Sequence, residues 1–415
     1  MIARLLLLGC LVPLLAACDI GRTAGLSCPM FADGGAPVVK SSQGTAAPRM
    51  TPEIAADIVL REEARTEAVI EEALRDRVAN VPRGQTVTLN VVTLSAGGQY
   101  GAFGAGFLTG WTGNGRPAFD LVTGVSAGAL LAPAAFAGPE FDPLLAAYDG
   151  LDSDGVLTLR PWFTLLRAPS LARPGPLSAF LDRTLDTDLV RAIGTAQEQG
   201  RTLLIGATNL DTGIGEVFDI GRAAETPGAV PCIREALLAS AAIPGLFPPR
   251  NIDGALYADG GLRQHVFLRA LDGARRNVGR ERGVTFRVEA YLIVNGALLP
   301  PPRPVEDTLP AYVIRAASIL ADEVLRDSIV EAVDFAAARP NWRLRGIRAE
   351  LPPGQPTTLR NGACTIPNGS GDEDEIGGFD PCLTAALFAH GRGRAAQTPI
   401  PWLSAADLRA LALEL

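Results

Sequence analysis

Segments with the two-residue period of β-strands alternate along most of the chain with segments of helical spacing. The clearest strand pattern covers 86–94, where β-branched residues dominate and Gly84 and Gly97 flank the run. Further strand patterns occur near 118–125, 202–208, 216–220, 255–258 and 284–295, and a late one runs from 341 to 351. Strands that alternate with helices predict an α/β fold whose central sheet is covered by helices on both faces.

Two longer segments of helical spacing lie outside this series. Thr51 provides an N-cap hydroxyl and Pro52 stands in the first turn, so a helix is expected over 54–78. Its apolar residues fall within an arc of about 100°, which Glu63 and Glu67 interrupt, so we expect it on the edge of the domain. The region 309–338 predicts one or two further helices.

The first 50 residues have the pattern of an export signal followed by a linker. A short basic segment, an apolar run over 5–15 and two alanines precede Cys18. The sequence Leu-Ala-Ala-Cys resembles a bacterial lipobox, which implies cleavage before Cys18 and diacylglycerol on its sulfur. We therefore expect a lipoprotein signal peptide at 1–17, a flexible tether at 18–50 and a folded domain at 51–415. An ordinary secretory signal followed by an incidental cysteine is the alternative.

Composition narrows the classes of partner. A content of 47% hydrophobic residues is enough for a large core, and the net charge of −8 argues against a nucleic-acid partner. No run of about 18 apolar residues follows the N-terminus, so no membrane-spanning segment is expected in the mature chain. The expected location is the bacterial cell envelope, with the chain anchored by lipid to a membrane and facing the periplasm.

Four cysteines remain beside Cys18 after export, and an oxidising periplasm allows two disulfides in three connectivities. Cys364 and Cys382 flank the polar loop 367–375, so we expect these two to pair. The pairing of Cys28 and Cys232 is left open by the sequence.

The pentapeptide 124–128 reads Gly-Val-Ser-Ala-Gly and follows a largely apolar run. This is the sequence form of a nucleophile elbow, in which a strand enters a tight turn, Ser126 occupies its apex and a helix follows. Gly124 and Gly128 are expected where neighbouring backbone comes too close for a Cβ. A glycine-rich turn with a merely buried serine is the alternative.

A second glycine-rich turn, 95–101, joins the strand at 86–94 to a helical pattern. Such a turn directs several backbone N–H groups to one point at the positive end of a helix. A nucleotide-phosphate loop would need a Walker-type lysine or a dinucleotide fingerprint, and neither spacing is present. The backbone amides are therefore predicted to form an oxyanion hole.

A third feature is Asp259, which precedes two glycines. An aspartate in this context usually forms a turn. The chain contains only two histidines, His265 and His390, so a Ser-His-Asp triad has few candidate bases. A carboxylate that takes the serine proton directly needs no histidine.

Five segments, in this order, resemble the motifs of the patatin-like phospholipase family: SAGGQYGAFGAGFL, GVSAG, TNLDTG, SAAIPGLFPP and DGG. The resemblance spans about residues 87–300. It implies a three-layer α/β/α fold with a central, mostly parallel sheet, and hydrolysis of acyl esters by a Ser-Asp dyad.

Carried over to this chain, the resemblance makes Ser126 the nucleophile and Asp259 its base, and it places Gly97, Gly98 and Gln99 in the oxyanion loop. The chain departs from the family pattern at two positions: Ala96 replaces a usual glycine, and Tyr100 replaces a usual Arg or Lys. If Ala96 adopts a positive φ, the cost is about 1 kcal/mol. The missing cation at position 100 weakens any expected preference for anionic head groups.

The expected function is that of a membrane-tethered lipid acyl hydrolase of the phospholipase A type. It would act on a lipid or phospholipid without a cofactor or metal ion. One alternative is an α/β-hydrolase with a Ser-acid-His order and His390 as the base. The other is a catalytically silent envelope lipoprotein that keeps the fold for binding. Loss of activity on removal of His390 would favour the first alternative over the dyad.

Overall fold

The computed structural model describes residues 25–31, 51–161, 163–164, 168–296, 298, 304–351, 356–359, 362–365 and 378–413. The strands are β1 (Thr86–Leu94), β2 (Leu121–Val125), β3 (Thr158–Leu159), β4 (Ala172–Arg173), β5 (Thr202–Asn209), β6 (Ile214–Asp219), β7 (Arg250–Ile252), β8 (Ala255–Asp259), β9 (Thr285–Val294), β10 (Trp342–Arg348), β11 (Pro356–Leu359), β12 (Gly362–Thr365) and β13 (Leu403–Ser404). The helices are α1 (Pro52–Arg77), α2 (Gly101–Thr112), α3 (Ala127–Ala137), α4 (Asp142–Leu145), α5 (Gly175–Thr184), α6 (Thr187–Glu198), α7 (Ile220–Ala224), α8 (Val230–Ser240), α9 (Arg269–Arg282), α10 (Leu309–Ala337), α11 (Pro381–Ala395) and α12 (Ala405–Leu413).

The central sheet is mostly parallel. Strands β10, β9, β1, β2 and β5 lie side by side in this order and run in the same direction. Strand β13 pairs antiparallel with β10, and β6 and β8 pair antiparallel with β5. Strand β7 then pairs antiparallel with β8. The strands expected from the alternating segments are all present, which confirms the predicted fold class.

Helices cover the sheet on both faces because its strands are apolar on both sides. In β1, Val92 and Leu94 belong to one buried cluster, whereas Leu89 and Val91 belong to the other. The first cluster includes side chains of α2, α3, α8 and α11. The second includes side chains of α1, α9, α10 and α12. Since successive side chains of a strand point to opposite faces, these two clusters are the two helix–sheet interfaces of a three-layer α/β/α fold.

Helix α1 begins where the sequence predicts it. The Thr51 hydroxyl accepts the Ile54 N–H at 3.3 Å, and Pro52 is the first helical residue. Glu62, inside the helix, is buried and accepts the Val217 N–H at 2.9 Å, so α1 is fixed to β6 at the edge of the sheet. The prediction of a helix on the edge of the domain is confirmed.

The segment 25–31 departs from the expected tether. Leu26 forms a parallel β-bridge with Ile252, and its N–H donates to the Asn251 carbonyl at 3.0 Å. Cys28 is fully buried and forms a disulfide with Cys232, with a Cα–Cα distance of 5.6 Å. The prediction of a flexible tether is therefore wrong for residues 25–31, because a cross-link to a residue 204 positions away fixes them to the domain. The signal peptide at 1–17, Cys18 and the rest of 18–50 lie outside the described residues.

Replacing both Cys28 and Cys232 by Ser is expected to lower the free energy of unfolding by about 3–5 kcal/mol, because the cross-link restricts a long loop of the unfolded chain. Equilibrium denaturation of oxidised protein measures this change. Ser27→Ala, at a neighbouring exposed position, is the control and should change stability little. Unfolding of the double variant at the same denaturant concentration as the unchanged protein would contradict the prediction.

For the expected disulfide between Cys364 and Cys382, the structure describes the side chain of only one cysteine. Cys382 is disulfide-bonded. The backbone of Cys364 pairs with Thr357 in the β11–β12 hairpin, while the Cys364 side chain lies outside the described residues. The Cys364–Cys382 pair therefore stays a prediction.

Among the residues that the structure describes, every helix is too short or too polar to span a membrane.

Candidate active site

Two strands end against the same edge of β5. Strand β2 runs parallel to β5, and its last residue, Val125, lies beside Gly206. Strand β8 runs antiparallel, and its last residue, Asp259, lies beside Ala207. Because β6 occupies the opposite edge of β5 along this stretch, β2 and β8 share one edge and their ends meet. Ser126, which follows β2, is therefore brought next to Asp259, although the two are far apart in sequence.

Ser126 has the backbone of a nucleophile elbow. Its φ of 54° and ψ of −122° place it in a region that residues other than glycine rarely adopt, between β2 and the start of α3. A Cβ at Gly128 would lie 2.2 Å from the Leu94 carbonyl oxygen, and one at Gly124 would lie 2.6 Å from the Gly128 carbonyl oxygen. Both glycines therefore stand where close backbone approach requires them. Strain held at one residue by its surroundings is typical of functional positions.

Ser240, which the sequence analysis gave no role, holds the elbow in place. Its hydroxyl accepts the Ser126 N–H at 2.9 Å and donates to the Gly206 carbonyl at 2.6 Å. The side chain is fully buried, so both bonds are protected from water. The hydroxyl thus links the elbow to β5 at the point where β2 ends. The motif SAAIPGLFPP contains this serine, but its spacing gives no sign of the contact.

Asp259 is a buried carboxylate with an incomplete set of hydrogen bonds. Its Oδ1 accepts the Gly261 N–H at 2.8 Å, whereas Oδ2 has no partner of standard geometry among the described residues. Burial raises the pKa of Asp259 to about 6, and interactions with the Ser126 side chain and the Gly261 N–H oppose this rise. The Ser126 side chain therefore lies close enough to the carboxylate to influence its pKa, and both residues line one cavity.

The loop predicted as an oxyanion hole presents free backbone donors at the start of α2. Within the described residues, the N–H groups of Gly97, Gly98 and Gln99 have no protein acceptor. Gly98 has a φ of 53°, which glycine adopts without penalty. A Cβ at Gly97 would lie 2.2 Å from the Asn295 carbonyl oxygen, so this glycine packs directly on the end of β9.

Gln99 also connects this loop to α11. Its Oε1 accepts the Asp380 N–H at 3.0 Å. The Asp380 carboxylate in turn caps α11 by accepting the Cys382 N–H at 2.7 Å and the Leu383 N–H at 3.3 Å. The Gln99 side chain is buried, so water does not compete with this hydrogen bond, which holds the loop against the start of α11.

Neither histidine is placed to act as a base for Ser126. His265 is buried, its Nδ1 accepts the Ala96 N–H at 3.3 Å, and its Nε2 lies 3.2 Å from the Gly261 carbonyl oxygen. Both ring nitrogens are thus occupied by the backbone, and burial lowers the pKa of His265 to about 4, which keeps the ring neutral. His390 lies on α11, beside Phe103, and does not line the cavity that contains Ser126. The geometry therefore disfavours the alternative with His390 as the base.

The chain departs from the motifs of the patatin-like family at positions 96 and 100, and the structure shows the effect of each departure. Ala96 does not have a positive φ, so the expected cost of a strained alanine does not arise. Tyr100 lines the cavity at Ser126 together with Arg315, which α10 contributes. A cation is therefore present at this cavity, though not at position 100.

Ser126 lies where two cavities meet. The larger, of about 240 Å³, also contains Asp259, His265 and Arg315. The smaller, of about 50 Å³, is lined mainly by apolar side chains: Leu130, Leu151, Val156, Leu177, Phe180 and Phe247.

The described residues contain no group of three or more His, Cys, Asp or Glu side chains that could hold a metal ion.

Comparison with known proteins supports the resemblance drawn from the motifs. Residues 92–272 match the family model described as patatin-like phospholipase. No curated protein matches the chain. Among solved structures, the chain is similar to VipD from Legionella pneumophila, with 15% sequence identity, a TM-score of 0.29, and coverage of 75% of this chain and 67% of that one.

Proposed function

We propose that this chain, whose residues 92–272 form a patatin-like phospholipase domain, is a lipid acyl hydrolase that uses Ser126 as nucleophile and Asp259 as its base. The domain by itself implies acyl hydrolysis of lipids. The assignment of the two residues is supported by one observation above all: a strained serine and a buried carboxylate meet at the junction of β2 and β8.

The proposed reaction has two halves. Ser126 Oγ attacks the acyl carbonyl while its proton passes to Asp259, and the backbone amides of Gly97, Gly98 and Gln99 stabilise the oxyanion. Asp259 then returns the proton to the leaving alcohol, which departs and leaves an acyl-serine ester. In the second half, water attacks this ester, Asp259 accepts a proton from the water, and the fatty acid is released as Ser126 regains its proton.

The two cavities suggest how a lipid ester would lie. The small apolar cavity begins beside Ser126 and Gly98, and its lining of aliphatic and aromatic side chains suits an acyl chain. The larger cavity is lined by the charged residues Arg315 and Asp322, which suits the alcohol part of the ester. We expect the scissile carbonyl where the two cavities meet.

Purified protein assayed on phospholipids, lysophospholipids and short water-soluble esters tests this function. Release of fatty acid from dispersed phospholipid is the expected result, with Ser126→Ala as the inactive control. Hydrolysis of only the short esters would contradict the lipid assignment. Binding of lipid without any hydrolysis would instead support the silent lipoprotein.

The pH dependence of catalysis follows from the raised pKa of Asp259, which is about 6. Asp259 must be ionised to accept the serine proton, so kcat/KM is expected to rise through about pH 6 and to level off above it. Well below pH 6, it should fall by about tenfold per pH unit. A pH–rate profile measures this. A profile that falls as the pH rises from 6 to 8 would contradict the role of Asp259.

The tether to a membrane is a separate proposal that depends on Cys18 and on the resemblance of residues 15–18 to a lipobox. A lipidated N-terminus with several acyl chains would anchor the protein stably. Cys18→Ser is expected to release the protein from the membrane fraction or to block its processing, as fractionation and immunoblotting of the expressing bacterium would show. Unchanged membrane association and electrophoretic mobility would contradict the anchor.

A further inference from the structure

Helix α10 presents different side chains to the active site and to solvent over its first half. Ile314, Ser318 and Ala321 line the large cavity. On the opposite side, five large apolar side chains are exposed: Leu309, Tyr312, Val313, Ile319 and Leu320. Leu309 is 74% exposed and Leu320 is 61% exposed. At 1.5 Å per residue this apolar stripe is about 17 Å long.

The stripe has few charges around it. Between Thr308 and Asp322, the only charged residue is Arg315, which lines the cavity rather than the stripe. Acidic residues stand just beyond both ends, at 306–307 and at 322–323. Asp307 accepts the Tyr312 hydroxyl, Asp322 lines the cavity, and Glu323 pairs with Arg326. Soluble proteins rarely expose a contiguous apolar face of this size, and such a face commonly marks a binding surface.

A second exposed element contacts the same loop as α10. The Leu171 N–H donates to the Gly245 carbonyl at 2.9 Å, so the β3–β4 hairpin is bonded to the loop before β7. A Cβ at Gly245 would lie 3.0 Å from Val313 Cγ1, so the same loop touches α10. On the hairpin side, Leu159 is 52% exposed and Phe163 is 66% exposed.

The charge of this second element is opposite to that of the whole chain. Residues 158–173, which make up the hairpin, contain three arginines and no acidic residue, although the net charge of the protein is −8. Arg173 is exposed and Arg160 is half-buried. A surface that combines exposed aliphatic and aromatic side chains with arginines is complementary to a bilayer that carries anionic head groups.

We infer that the exposed apolar side chains in the first half of α10 form a docking face for an anionic phospholipid bilayer, together with four described residues of the hairpin: Leu159, Arg160, Phe163 and Arg173. The inference rests on the proposed function, because the same helix separates the face from the cavity in which a lipid would react. Apolar side chains insert at the boundary of head groups and acyl chains, and Arg160 and Arg173 attract the anionic lipid. Docking holds α10, and with it the cavity on its other side, at the surface that contains the substrate.

Vesicle binding tests the face independently of catalysis. The protein used is the chain from residue 18 onward, with Cys18→Ser to prevent lipidation and Ser126→Ala to prevent turnover. It is sedimented with vesicles of phosphatidylcholine alone or of phosphatidylcholine with about 30% phosphatidylglycerol. The second type has a negative surface like that of an anionic membrane. Leu309→Glu combined with Leu320→Glu should lower the partition coefficient at least about tenfold. Leu60→Glu, at a 64% exposed leucine of α1, is the matched control and should change it less than about twofold. Arg160→Gln with Arg173→Gln should remove most of the dependence on phosphatidylglycerol.

The same substitutions in protein that retains Ser126 separate this inference from the proposed function. Hydrolysis of a short soluble ester should be unchanged by Leu309→Glu and Leu320→Glu, while hydrolysis of vesicle phospholipid should fall. Vesicle binding that is lost only in these variants supports the face even if no ester is hydrolysed. Three results would overturn the inference. All variants could bind vesicles equally, or Leu60→Glu could lose binding as much as the α10 variant does. The protein could also form a dimer that Leu309→Glu and Leu320→Glu convert to a monomer, without any binding to vesicles.

Discussion

Ser126→Ala and Asp259→Asn are each expected to lower kcat/KM for an ester by roughly 10³-fold or more, and the double variant should be little worse than either. Alanine at 126 removes the nucleophile, and asparagine at 259 cannot accept its proton. Because the two groups act in one proton transfer, their effects do not add. Steady-state kinetics of the two single variants and the double variant measure this.

The stability of Asp259→Asn separates the loss of a base from the loss of the fold. Since burial raises the pKa of Asp259 from its ordinary value of 3.8 to about 6, the folded state binds a proton more tightly than the unfolded state. The carboxyl therefore favours folding below about pH 4, and this contribution is lost as the pH rises through about 6. Ionisation therefore lowers stability at pH 8 by on the order of 3 kcal/mol relative to the protonated carboxyl. Asparagine is a neutral isostere of that protonated form, so Asp259→Asn should be more stable than the unchanged protein at pH 8.

His390→Ala is the matched control for the dyad. His390 is half-buried on α11 and does not line the active-site cavity, so its removal should leave most activity. If His390→Ala instead abolished turnover while Asp259→Asn retained it, the triad alternative would hold. An inactive Asp259→Asn protein that is also less stable at pH 8 would leave the base unsupported and point to a structural role.

The sequence predicted the fold and the candidate nucleophile because both have local signatures. The strand 86–94 is recognisable from β-branched alternation, and the elbow from glycines on both sides of Ser126. The turn at Asp259 could be located by its two glycines. Its meeting with Ser126 could not be derived from spacing, because it depends on β2 and β8 ending on one edge of β5. Only the family resemblance pointed to that pairing.

The features that the sequence missed are contacts between distant segments. Ser240 binds the Ser126 N–H across a separation of 114 residues, and an isolated serine in an apolar helix gives no sign of such a partner. The disulfide between Cys28 and Cys232 fixes a segment whose composition alone resembles a linker. Composition reports what a segment would do by itself, whereas these contacts depend on the rest of the fold.

The oxyanion loop offers a matched pair of substitutions with very different expected effects. Gly97→Ala should lower kcat by about 10²-fold or more, and Gly98→Ala should lower it by only a few-fold. A Cβ at Gly97 would lie 2.2 Å from the Asn295 carbonyl oxygen and 2.3 Å from its carbon. That backbone cannot move freely, because the Asn295 N–H donates to Ser95 Oγ and Asn295 Nδ2 donates to the Ser95 carbonyl, both at 2.9 Å. The loop itself must therefore shift and carry its amides away from the oxyanion.

Gly98 provides the control within the same loop. No atom lies within 4 Å of the position of its Cβ, so alanine meets no obstacle there. Its φ of 53° costs an alanine about 1 kcal/mol of stability, while the backbone N–H is retained. Steady-state kinetics on a soluble ester should show the loss for Gly97→Ala mainly in kcat rather than KM, because the oxyanion forms only in the transition state. Equal and small effects of the two substitutions would show that the amides of this loop do not hold the oxyanion.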